Sequence, residues 1–117
     1  MKAMTTTERQ SDLLPLWEKS VELAGEIGMR TTDCADRSFV QRQINLATEI
    51  VVSLISALQE SIDTNKTAMA LANANEHCTE LSLMILRGEA MHYYKESTAK
   101  HLMAKIYQLT RGFKRFM

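Results

Sequence analysis

Between Val40 and Leu58 the apolar side chains Val40, Ile44, Ala47, Val51, Leu54 and Leu58 recur at alternating spacings of four and three residues. That rhythm sets one face of an α-helix against a neighbour, because about 3.6 residues complete a turn. Leu46, Ile50, Val52, Ile55 and Ala57 extend apolar character around much of the remaining circumference, and no charge falls between Glu49 and Glu60. A helix apolar nearly all round must be covered on more than one side. Burial deep in a monomer satisfies this requirement, and so does a subunit contact. We expect the contact, formed by Leu46, Ile50 and Ala57.

The same rhythm marks three more helices. Leu13, Leu16, Leu23 and Ile27 share a face in a first helix running to about Met29, flanked by Leu14, Trp17, Val21 and Ala24. Ser11 or Asp12 is its expected cap, and Pro15 fits only within its first turn, where a missing N–H costs nothing. Gly25 and Gly28 weaken the end of this helix and leave room for a neighbour to approach. Asp36 or Ser38 opens the second helix, which lasts to about Ser61, before a polar break at Asp63, Thr64 and Asn65. Leu71, Ala74, Cys78, Leu81 and Ile85 define a third, with Met84 beside them and Gly88 as its expected terminator. After a less regular piece at Met91, His92, Tyr93 and Tyr94, the stripe Leu102, Ile106, Leu109, Phe113 and Phe116 defines a fourth, with Ser97 as a cap. No strand pattern appears, so the expected fold is all-α, an antiparallel up-down-up-down four-helix bundle. Residues 1–10, polar and aperiodic, read as a flexible tail before one domain at 11–117.

Charge changes this picture locally. The chain balances 14 basic against 14 acidic residues, so it offers no bulk field for nucleic acid or an acidic membrane. Residues 87–117, however, hold 7 basic and only 2 acidic groups. Lys100, Arg111, Lys114 and Arg115 fall on the side of the fourth helix opposite its apolar stripe. Such a strip is either a solvated face favoured by the helix dipole or a phosphate-contacting surface. Tyr93, Tyr94 and His92 offer stacking partners for single-stranded bases, or equally a plug at a helix junction. Met69, Met84, Met91 and Met103 suit adaptable core packing.

Other chemistry is sparse. Glu89 and His92 have the Glu-x-x-His spacing of di-iron bundles, but no second pair exists to complete such a centre. His77 and Cys78 are adjacent, and adjacent helix positions point about 100° apart, so they do not form a thiolate pair. Cys34 and Cys78 lack both metal-ligand spacing and the density of a disulfide scaffold, which favours a reducing compartment. There is no glycine-rich phosphate loop, no run of about 18 apolar residues and no apolar signal core. We therefore expect a cytoplasmic protein, not an enzyme, with no metal, cofactor or membrane contact.

Gln43, Ile44 and Ala47 in the second helix, Ala74, Glu80 and Leu81 in the third, and Arg111, Gly112 and Phe113 near the end carry a family likeness. Over roughly residues 16–117 the chain resembles the bacterial four-helix-bundle proteins encoded in intervening sequences of 23S ribosomal RNA genes. Accessory proteins of diversity-generating retroelements share that fold. The chain departs from the family's Asn-Ile-Ala-Glu-Gly segment, reading Leu54, Ile55, Ser56, Ala57 and Leu58 instead. The resemblance implies a bundle that assembles into a ring, commonly a homopentamer, without enzymatic activity. For the retroelement relatives it also implies a protein partner and RNA. The expected function is thus a non-catalytic, self-assembling scaffold; the alternative is an accessory protein binding structured RNA through the basic face of the fourth helix.

Overall fold

In the computed structural model, which describes residues 4–117, four α-helices follow one another: α1 (Thr6–Arg30), α2 (Arg37–Gln59), α3 (Thr64–Ala90) and α4 (Glu96–Phe113). A 3₁₀ turn, Lys114–Phe116, continues α4, and no strand occurs among the described residues. α2 packs on α1 and α3, and α4 packs on α3 and α1, so the helices close around one core measuring 48 × 22 × 18 Å overall. No helix of the described residues is long and apolar enough to cross a membrane.

Three helices begin on side-chain caps. Thr5 Oγ1 accepts the Glu8 N–H at 3.1 Å, Asp36 Oδ1 accepts that of Phe39 at 3.1 Å, and Asp63 Oδ1 accepts those of Asn65 and Lys66 at 3.0 and 3.2 Å. Each satisfies amide donors that the first helical turn leaves free, an effect of about 1 kcal/mol. α4 starts after Lys95 without a side-chain cap, and Ser97 lies inside the helix.

α1 begins earlier than its periodicity predicts, so residues 6–10 of the expected tail are helical; residues 1–3 lie outside the described ones. The cause is Arg9, which is buried and donates from Nε to the Ser61 carbonyl at 2.6 Å and from Nη2 to the Ile62 carbonyl at 3.2 Å. One guanidinium thereby satisfies carbonyls just past the end of α2 and anchors the first turn of α1. Pro15 sits in the middle of α1, not in its first turn. It is tolerated because Pro15 and Ser11 are both exposed, and water can reach the Ser11 carbonyl that loses its donor.

The core stripes of α1 and α3, and Leu102, Ile106, Leu109 and Phe113 of α4, are buried at the predicted positions; Phe116 is only half-buried, beyond the tightening into the 3₁₀ turn. α2 is rotated from its expected register. Gln43, Leu46, Ala47, Ile50, Leu54 and Ala57 face the core, whereas Ile44, Val51 and Leu58 are half-buried. Leu46 (8% exposed), Ile50 (0%) and Ala57 (0%) therefore belong to the monomer core, and the subunit contact expected there has no surface to form on. Burial of each of these larger side chains contributes about 1.5–3 kcal/mol to the monomer itself.

α3 also runs past its expected terminator. Gly88 is helical, the helix ends at Ala90, and His92 takes the left-handed backbone conformation at φ 63°. Tyr93 N–H reaches the Gly88 carbonyl at 2.8 Å and His92 N–H that of Glu89 at 3.0 Å, the two bonds of a Schellman end. Gly88 serves packing instead: a Cβ there would meet Tyr94 Cδ2 at 2.7 Å and Phe39 Cζ at 2.8 Å. Gly25 and Gly28, expected to admit a close neighbour, have no such atom within 4 Å.

Candidate functional site

α4 is fastened to α1 by a polar cluster. Glu26 Oε1 lies 2.7 Å from His101 Nε2, and Glu26 Oε2 lies 3.3 Å from Lys105 Nζ. Glu22 Oε2 also reaches Lys105, at 3.8 Å. Burial pulls the Glu26 carboxyl upward, but hydrogen bonds from His101 and Lys105, with their charge, outweigh it and hold the group below its ordinary value.

The four predicted basic residues do not form one strip. Lys100 Nζ pairs with Glu96 at 2.8 Å on the same exposed surface of α4. Hydrogen bonding within the pair holds Glu96 below and Lys100 above their ordinary values. Lys100 also precedes Arg111 by about 16 Å along the helix, given 1.5 Å per residue. Beyond Phe113 the cations diverge. Arg115 reaches across to Asp12 of α1 at 3.1 Å, Arg111 lines the α1/α4 groove, and Lys114 lines the α3/α4 groove.

The structure adds a residue that the sequence did not single out. Lys19 of α1 lines the same groove as Arg111 and Arg115, an opening of about 510 Å³ that also includes Asp12 and Gln108. Gly112 and Leu16 complete it, and a Cβ at Gly112 would overlap the Leu16 side chain. Among the described residues no carboxylate lies within 4.0 Å of Lys19 or Arg111. In the sequence Lys19 is one polar position among many on α1; only the pairing of α1 with α4 brings it toward Arg111.

Two outer faces are free of charge. On α1 the stripe that continues Gln10, whose amide donates to Ser61 Oγ beyond α2, consists of Leu14, Trp17, Val21, Ala24 and Gly28. Beside it on α2 run Ile44, Thr48, Val51, Ile55 and Leu58, on the side away from Arg42, which faces α3. Leu14, Val21, Val52 and Ile55 are exposed. On the opposite edge the α3/α4 groove, of about 410 Å³, is lined by Leu83, Met103, Ile106, Tyr107 and small polar side chains, with Lys114 at its margin. Leu83 and Tyr107 are each 63% exposed there.

The remaining chemical candidates resolve into structure. Tyr94 OH donates to Gln43 Oε1 at 2.6 Å and Tyr93 OH to Asp36 Oδ2 at 3.0 Å; with Phe39 they plug the α3/α4 junction against α2. Burial pushes the Tyr94 phenol up to about 12. It does the same to the Cys78 thiol, which is fully buried. His92 lies past the end of α3, so Glu89 and His92 do not share the helical turn that their spacing suggests. Among the described residues no three His, Cys, Asp or Glu side chains gather as a metal site would need. No family model, characterised protein or solved structure matches the chain.

Proposed function

We propose that this chain is a non-catalytic, self-assembling helical bundle that acts as a scaffold for a protein partner. The observation that carries this reading is the pair of charge-free outer faces on α1/α2 and α3/α4. Exposed apolar surface at coiled-coil spacing calls for a helical cover. We read the bundle as up-down-up-down. In support, the start of α1 meets the end of α2 through Arg9, the start of α2 meets the end of α3 through Tyr94, and α1 and α4 pair in opposite directions through Asp12 with Arg115 and Glu26 with His101. In that arrangement the two apolar faces lie on opposite edges. Opposite, non-identical patches join copies head to tail, and such contacts close into rings when the rotation permits. The free thiols Cys34 and Cys78 agree with a cytoplasmic setting.

Light scattering coupled to size exclusion tests this. The native chain is expected to elute as an oligomer, and Val21→Glu with Ile55→Glu, or Leu83→Glu alone, should give a helical monomer. Mixing the two monomeric variants should restore a dimer, because each keeps the face that the other has lost. A native chain that remains monomeric at all concentrations would overturn the reading.

A further inference from the structure

We propose that the α1/α4 groove walled by Lys19, Arg111 and Arg115 binds a phosphate-bearing anion, a site separate from the self-assembly faces. Three cations line one concave surface against a single carboxylate, Asp12, which Arg115 already holds at 3.1 Å. Lys19 and Arg111 have no acid within 4.0 Å among the described residues, so their charge is uncompensated. Clefts lined by one sign of charge concentrate counter-ions. Cations at the end of α4 also meet its helix dipole, which accounts for Arg111 and Arg115. It does not account for Lys19, which stands mid-way along α1 and still faces the groove.

The chemistry favours phosphate. Two guanidinium groups present planar forks that match phosphate oxygens, the Lys19 ammonium adds a point charge, and the Gln108 amide adds a neutral donor. A volume of about 510 Å³ admits more than one phosphate group. A free polyphosphate and the backbone of a nucleic acid share this chemistry, and two probes separate them.

The experiment titrates the full chain with inorganic tripolyphosphate, by calorimetry, and with a labelled single-stranded oligoribonucleotide, by anisotropy, each at two salt concentrations. At least one probe is expected to bind at low salt and to weaken as salt rises. Lys19→Gln with Arg111→Gln should flatten the salt dependence of oligonucleotide binding by about two in logarithmic slope, one for each lost phosphate contact. For tripolyphosphate the same pair should abolish the heat of binding. Asp12→Asn should tighten binding, since it removes the one repelling carboxylate; if Asp12 and Arg115 merely support the fold, it would weaken binding or leave it unchanged. Lys19→Arg with Arg111→Lys retains binding, and Lys66→Gln on the α2/α3 edge leaves it unchanged. If tripolyphosphate displaces the oligonucleotide, the site reads phosphate groups alone; if only the oligonucleotide binds, it reads an extended backbone. The proposal fails if neither probe binds at low salt, or if the neutralised pair, folded by circular dichroism, binds as the native chain does.

Discussion

At the end of α3 two residues exchange the roles that their types suggest. Gly88 stays helical and lets Tyr94 and Phe39 approach, while His92 adopts the left-handed conformation usually given to glycine. Gly→Ala in a helix interior ordinarily stabilises by about 1 kcal/mol. Here the added methyl would press on two rings held by the Tyr93 and Tyr94 hydrogen bonds, and overpacking of that kind costs about 1–3 kcal/mol. Gly88→Ala should therefore lower the thermal midpoint, whereas His92→Gly should stabilise the chain by about 1 kcal/mol by removing the left-handed penalty. Urea titration of both variants checks the pair. A Gly88→Ala chain as stable as the native one would mean that the rings move aside freely.

At the scale of elements, α4 rests on α1 through Glu26, and this contact carries a pH dependence. The folded-state carboxyl lies below its ordinary value of 4.5, so its stabilisation is present above that pH and is lost as pH falls through the lower folded value. The native chain should lose more stability than Glu26→Gln between about pH 6 and pH 3, the two curves converging in acid. Parallel curves would remove Glu26 from the account of α4 docking. Other contacts between elements are less exposed to acid. Arg9 ties α1 to the segment after α2 through backbone carbonyls, which do not titrate.

For the whole molecule, the arrangement of edges matters more than net charge. With α1/α2 and α3/α4 committed to assembly, the α1/α4 groove stays open in every copy. A ring would then present several anion sites at once, and linked sites raise avidity without new contacts. The monomeric Leu83→Glu variant should bind tripolyphosphate as the native chain does and bind a long RNA at least tenfold more weakly, within the roughly 10²–10⁴-fold range of multivalent gain. Equal affinity of monomer and oligomer for long RNA would separate assembly from anion binding.

The sequence by itself determined the four helices and most of their inward faces, because an apolar residue every three or four positions is a local signature of a covered helix. It also placed Asp36 and Asp63 at helix starts, where a carboxylate meets free amides within three residues. Tertiary structure decided what local spacing leaves open. α2 carries two overlapping stripes with the same rhythm, Val40 to Leu58 and Gln43 to Ala57, and packing against α1 and α3 together with the Tyr94 contact to Gln43 selected the second. The early start of α1 rests on Arg9 reaching carbonyls more than fifty residues away, and the anion groove rests on Lys19 meeting Arg111 and Arg115 across two helices. Neither has a local signal, because the partners are neighbours only once the chain has folded.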